Sequence, residues 1–362
     1  GPGATAVPAS VSYSAATRTA TLTPNAALVA STVYTATVKG GSGGVADTAG
    51  NFRPAGSIGM INAALPFAYL VGNVLHIDFL APDIDVEMIA SGDHLDVEQG
   101  ATLTFAMASF DSVLVHGTSD DDVLHFTGPL AQPVTFAGGA GNDHLFVNAG
   151  TFTFDVDAPA NCAALGINAA EGGNVVFNAT QHLRDLNVDG TATLTAGGGK
   201  VIVTRSLSGA GRLDLGDNDL VLDYDPTDPP GILATLQQRI AFGMNGGTWD
   251  GSGIVTSMPD AQSGLTTLGI AEAADVFGLS GADTADFSGE TVDATCVIIK
   301  YTYAGDANLD GFISGDDYSS IDFNVGTAAT GYNNGDFNYD GIISGDDYST
   351  IDFNFAAQGG PL

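Results

Sequence analysis

Two stretches decide the fold: Val113-Leu-Val-His-Gly-Thr-Ser-Asp-Asp-Asp-Val-Leu-His-Phe126 and Val134-Thr-Phe-Ala-Gly-Gly-Ala-Gly-Asn-Asp-His-Leu-Phe-Val147. Set one beneath the other at an offset of 21, they align glycine with glycine, Asp122 with Asp143 and Leu124 with Leu145. Each reads strand, Gly-rich turn, strand. A repeat of this length is what one coil of a parallel β-solenoid requires, because each coil must return to stack on the last. Alternating apolar residues continue at Phe152, Phe154 and Val156, at Val175 to Phe177, and at Leu186 and Val188. They recur at Ala192 and Leu194, Val201 to Val203, Leu213 and Leu215, and Leu220 to Leu222, with Thr, Asp and Asn between them. Period-two alternation buries one side of each strand. A β-sandwich has similar strands, so the offset is what favours a solenoid over residues 56–230.

Upstream, residues 1–55 carry short alternations around Val11 and Tyr13, Ala20 and Leu22, and Val33 to Val38, separated by Pro, Asn and Gly. These predict antiparallel strands. The run Thr21 to Val38, followed by Val45-Ala-Asp-Thr-Ala-Gly-Asn51, resembles the end of a bacterial Ig-like domain. A whole sandwich of that kind takes about 100 residues, so its first strands are expected upstream of this chain, the alternative being strands packed directly on the next domain. The opening Gly-Pro-Gly, with neither Met nor a signal peptide, reads as a mature form or a fragment. Residues 231–303 form a mixed connecting region, in which Ile232, Leu233, Leu236 and Ile240 have helical spacing.

Composition narrows the function. Nine Lys+Arg stand against 42 Asp+Glu, a formal charge of -33, and only Glu87, Glu98, Glu171, Glu272 and Glu290 are not Asp. Asp favours turns and calcium loops over helix interiors. Such a surface repels phosphate backbones and anionic headgroups, which argues against nucleic acid as a partner. No window approaches the ~18 uninterrupted apolar residues of a membrane span, so no membrane insertion is expected. Cys162 and Cys296 match no metal or redox spacing and are either one disulfide or two buried thiols.

The strongest chemical signal lies at the C-terminus, residues 304–357. Gly305-Asp-Ala-Asn-Leu-Asp-Gly-Phe-Ile-Ser-Gly-Asp-Asp-Tyr-Ser-Ser-Ile-Asp-Phe-Asn324 is repeated 30 residues later as Gly335 to Asn354, with sixteen of twenty positions identical. Each copy has oxygen donors at loop positions 1, 3, 5, 7, 9 and 12, with glycine at 6 where the chain must turn sharply. The first set is Asp306, Asn308, Asp310, the carbonyl of Phe312, Ser314 and Asp317, turning at Gly311. The second is Asp336, Asn338, Asp340, the carbonyl of Ile342, Ser344 and Asp347, turning at Gly341. Hard oxygens in flexible geometry suit Ca2+, one ion per loop. After Lys300 there is no Lys or Arg but ten Asp, so the segment is expected to be poorly folded without calcium and compact with it.

A single apolar helix stripe follows each loop, Tyr318, Ile321 and Val325, then Tyr348, Ile351 and Phe355. With no entering helix and Asp rather than Glu at position 12, the pair resembles a dockerin of type I. That resemblance implies docking onto a cohesin-like or cell-surface protein, often through loop positions 10 and 11. Here those are Gly315 and Asp316, then Gly345 and Asp346. Glycine offers no side chain for recognition, so calcium carries over residue by residue while the partner does not.

Weaker signals remain. Gly138-Gly-Ala-Gly-Asn-Asp-His-Leu-Phe146 resembles one RTX nonapeptide, which implies calcium at Asp143; a turn without metal is the plainer reading. His116, His125 and His144 do not share one column of the repeat and read as scattered strand residues. Asp120-Asp121-Asp122 lacks the partner carboxylate and aromatic platform that glycoside hydrolysis needs, and Arg184, Arg205 and Arg212 sit in no catalytic motif. The reading is a secreted, non-catalytic, multidomain β-protein of the bacterial cell surface or a scaffold, with a calcium-binding docking module. The alternative is a polysaccharide hydrolase or lyase recruited through that module.

Overall fold

The computed structural model describes residues 7–14, 19–25, 33–38, 56–62, 67–80 and 85–362. Two compact units divide the chain, Gly1–Tyr69 and Leu70–Leu362. In the first, strand Ala9–Ser14 pairs antiparallel with Thr19–Pro24, and Val33–Val38 pairs antiparallel with Gly56–Asn62. The antiparallel expectation holds. The division falls after Tyr69, and Gly56–Asn62 pairs with Val33–Val38 within the first unit. The Val45 to Asn51 segment lies outside the described residues.

The second unit is mainly β, a parallel solenoid of about five turns. Its register reproduces the repeat: Val113 lies opposite Val134, and Leu124 opposite Leu145. Further strands stack in parallel as Cys162–Ala169, Asp185–Val188 and Leu207–Ser208 on one face. A second face stacks Gly150 to Phe154, Gly173–Phe177, Thr191–Leu194, Arg212–Asp214 and Gly253–Val255. The interior is a ladder of fully buried side chains, among them Leu124, Leu145, Ile167, Phe177, Leu186 and Leu194. Each such side chain contributes about 1.5–3 kcal/mol on leaving water. Val156, expected in the alternation, lies past the end of its strand and is exposed.

A third face, Gln181–Leu183, Val201–Thr204 and Asp219–Asp223, changes character at its edge. There Cys296–Tyr303 adds antiparallel to Asp219–Asp223, and Thr266–Glu272 adds antiparallel to Cys296–Tyr303. The expected helix is Ile232–Met244 (α1), with Leu236 and Ile240 buried and Gly243 pressed against the Ile254 carbonyl. Residues 231–303 therefore cap the solenoid and extend its third sheet. Cys162 and Cys296 are separate buried thiols.

Candidate metal centre

Strand Cys296–Tyr303 runs directly into the first Asp-rich loop, with no helix before it. Each loop is followed by a helix, Gly315–Asn324 (α2) and Gly345–Phe355 (α3). Ile321 and Ile351 are fully buried, whereas Val325 and Phe355, expected on the same stripe, are exposed where the helices end.

In the first loop Asp306 Oδ2 accepts from Gly311 N at 2.8 Å and from Thr302 Oγ1, while Oδ1 accepts from Asp310 N at 3.1 Å. Asn308 Oδ1 accepts from Asp310 N at 3.0 Å, and Asp310 Oδ1 from Phe312 N at 3.0 Å. Asp317 takes three N–H groups, Ala307 at 2.8 Å and Asn308 at 3.2 Å on Oδ1, and Ser314 at 2.7 Å on Oδ2. The second loop repeats the pattern: Asp336 Oδ2 accepts from Gly341 N at 3.1 Å, Asn338 Oδ1 from Asp340 N at 2.9 Å, and Asp340 Oδ1 from Ile342 N at 2.8 Å. Asp347 accepts from Phe337 N at 2.8 Å, Asn338 N at 3.4 Å and Ser344 N at 2.9 Å. Gly311 and Gly341 turn at φ 90° and 84°, as position 6 requires.

Sequence reasoning missed three features. Ser314 and Ser344 are helix N-caps whose hydroxyls accept from Asp316 N and Asp346 N, with Asp317 and Asp347 bonding back to the cap amides. Loop position 4 has φ of 59° at Leu309 and 60° at Tyr339, a conformation bulky residues avoid. Both side chains anchor to the same strand: Leu309 packs over Gly269, and Tyr339 donates to the Leu268 carbonyl. Packing thus offsets a backbone cost of order 1–3 kcal/mol each. Finally, Gln358 bonds both Ile313 N and Ile313 O, folding the tail over the first loop.

The electrostatics are unbalanced. Asp306, Asp317 and Asp347 are fully buried and Asp336 nearly so, in a segment without Lys or Arg. Burial pushes the Asp306 carboxyl up to about 7, against the pull of its Thr302 and Gly311 donors. Burial also raises Asp317, Asp336 and Asp347. Asp336 Oδ1 is buried without a hydrogen-bond donor, whereas its counterpart in the first copy, Asp306 Oδ1, accepts from Asp310 N. A buried carboxylate oxygen without a donor is costly unless a cation or proton meets it, so the donor set fits a hard cation.

Elsewhere, Asp143 Oδ1 accepts from Asp122 N at 3.2 Å, Oδ2 has no donor, and burial pushes its carboxyl up to about 6. Asp122 Oδ2 accepts from Thr118 N at 2.6 Å, and Asp121 from Asn142 N at 2.7 Å, so the Asp120 to Asp122 run braces turns. Asp223, Asp293 and Cys296 hold three ligand-type atoms within 4.8 Å of one another, the one such group among the described residues; the carboxylates of each loop are spaced more widely. Trp249 is buried, not a platform. The repeat register keeps His125 and His144 in different columns, yet both rings stack on Phe146, at 4.8 and 4.6 Å.

Residues 1–59 match a family of bacterial Ig-like domains, Big_5. No curated protein and no solved structure matches the chain. An Ig-like domain of bacterial type together with a β-solenoid defines a bacterial surface-type protein. No helix among the described residues is long and apolar enough to cross a membrane.

Proposed function

We propose that this is a secreted, non-catalytic surface or scaffold-associated protein whose two C-terminal loops each bind one calcium ion and whose paired helices dock it to a protein partner. The observation that carries the reading is the burial of Asp306, Asp317, Asp336 and Asp347 in a segment with no cationic side chain. Asp306, Asn308, Asp310, the Phe312 carbonyl, Ser314 and Asp317 would hold one ion, and Asp336, Asn338, Asp340, the Ile342 carbonyl, Ser344 and Asp347 the other. Bound calcium supplies the positive charge these carboxylates lack and ties the start of each loop to the first turn of the helix that follows it.

Asp143 is better read as an internal brace, since Gly117 and Gly138 leave just the space its turn's carboxylates fill. For docking, Phe323 and Phe353 occupy equivalent positions on α2 and α3 and are 80% and 69% exposed. They offer an apolar contact near the C-terminal ends of the helices, whereas Gly315 and Gly345 at the N-terminal ends carry no side chain. Isothermal titration of the full chain, stripped with EDTA, tests the metal: two calcium ions per chain are expected, and no heat at millimolar calcium would refute it. Docking is tested by surface plasmon resonance on a cohesin-like domain, where F323A/F353A should lose binding with calcium stoichiometry unchanged.

A further inference from the structure

One outward column of the solenoid runs unbroken across eight neighbouring strands. Its centre is His125 opposite Phe146, flanked on one side by Glu87 and Glu98 and ending at Thr102. On the other side the register passes to Asn168, Asn187 and Ser208. Seven strand spacings make it roughly 34 Å long. All members except Phe146 carry hydrogen-bonding groups, and all but the two ends are half-buried, lying in the face rather than standing off it.

The column is reinforced from the side. Phe146 is stacked with both His125 and His144, each at 15° to its plane. Arg184 lies across a notch left by Gly166, where a Cβ would come within 2.4 Å of its Nη2. Its Nε donates to Asp185 at 2.6 Å and its Nη2 meets His144 Nδ1 at 3.0 Å. At the Glu87 end, Asp85, Glu87, Glu98 and His125 line a cavity of about 400 Å³.

We propose that this face binds a neutral, hydroxyl-rich linear polysaccharide laid along the solenoid axis. One outward residue per strand gives a repeat of ~4.8 Å, close to the length of a single pyranose unit, so successive sugars meet a hydrogen-bonding side chain at every strand but that of Phe146, whose ring offers a stacking face. The sign of charge selects a neutral chain. Asp85, Glu87, Glu98 and Asp185 outnumber Arg184, and the molecule carries -33, so a polyuronate is repelled while sugar hydroxyls can donate to the carboxylates. A protein partner is disfavoured because the column holds one aromatic and no aliphatic side chain. The inference stands apart from the calcium loops and survives if they fail.

Affinity electrophoresis of the full chain in calcium buffer tests it, with soluble xyloglucan, galactomannan, mixed-linkage β-glucan and dextran as neutral probes and polygalacturonate and alginate as anionic ones. Retardation by at least one neutral glycan is expected, weakened tenfold or more by H125A and by N187A. H76A, on a different face, should bind as wild type. Asn187 is half-buried on the surface, so N187A keeps the test valid if H125A unfolds. Absence of retardation by every neutral probe, preference for the polyanions, or equal loss in H76A would overturn the proposal.

Discussion

Tyr318 Oη donates to Asp352 Oδ1 at 2.6 Å, and the partners thirty residues on repeat the bond in reverse, Tyr348 donating to Asp322. The same reciprocity holds in the packing, with Gly305 against Ile351 and Gly335 against Ile321. Asn324 reaches Asn334 O at 3.2 Å while Asn354 reaches Ala304 O at 2.9 Å, so each helix fixes the residue before the other copy's loop. Two near-identical sequences thus make one interlocked pair. Y318F and Y348F should therefore destabilise by similar small amounts, about 0.5–1 kcal/mol each since both bonds are exposed. Urea melts check this; a cost confined to one tyrosine would contradict the pseudo-twofold relation.

Asp317 satisfies three amides at once, so D317A leaves Ala307 N, Asn308 N and Ser314 N without their acceptor. A loss on the order of 3 kcal/mol is expected. D317N, which retains an acceptor oxygen, should recover part of it in the same denaturation experiment.

The solenoid turn is tight enough to be tested by one methyl group. A Cβ at Gly138 would fall 2.1 Å from Asp143 Oδ2. G138A should cost about 1–3 kcal/mol. Because the obstructing atom belongs to Asp143, adding D143A should recover at least 0.5 kcal/mol of coupling energy. Additive losses in the double variant would show that the turn is not limited by that carboxylate.

His182 joins the third sheet to the Thr284–Asp293 hairpin, its Nδ1 at 2.7 Å from Asp157 and its Nε2 at 2.9 Å from Glu290. Burial works to lower its pKa, but the bonds to Glu290 and Asp157 outweigh it and hold the imidazole above its ordinary value. A raised folded pKa means the contribution is complete below about pH 6.5 and is lost as pH climbs through the folded value. The thermal midpoint of wild type should exceed that of H182A at pH 5.5, with the gap narrowing by pH 8.5. A gap that widens would reverse the sign.

Much of the solenoid was legible because a parallel coil writes its period directly into the sequence: Val113 and Val134, Leu124 and Leu145 are register partners as well as aligned residues. Coil length varies further on, and strand Arg212–Asp214 waits past α1 for its next partner, Gly253–Val255, so no fixed offset could show the cap. The sharp turns of the two Asp-rich loops at Gly311 and Gly341 were legible because their spacing is local. The anchoring of Leu309 and Tyr339 on the strand around Gly269 was not, since it depends on a contact far away in sequence. The His125, Phe146 and His144 stack escaped notice for a similar reason: aligned columns do not show that rings reach across them.

The most direct test of the central claim is native mass spectrometry of the full chain from calcium-containing buffer. Two calcium ions should be retained by wild type, one by D310A, one by D340A and none by the double variant. Retention of no calcium by wild type, or an unchanged count in the double variant, would contradict the assignment of these loops as the metal centre.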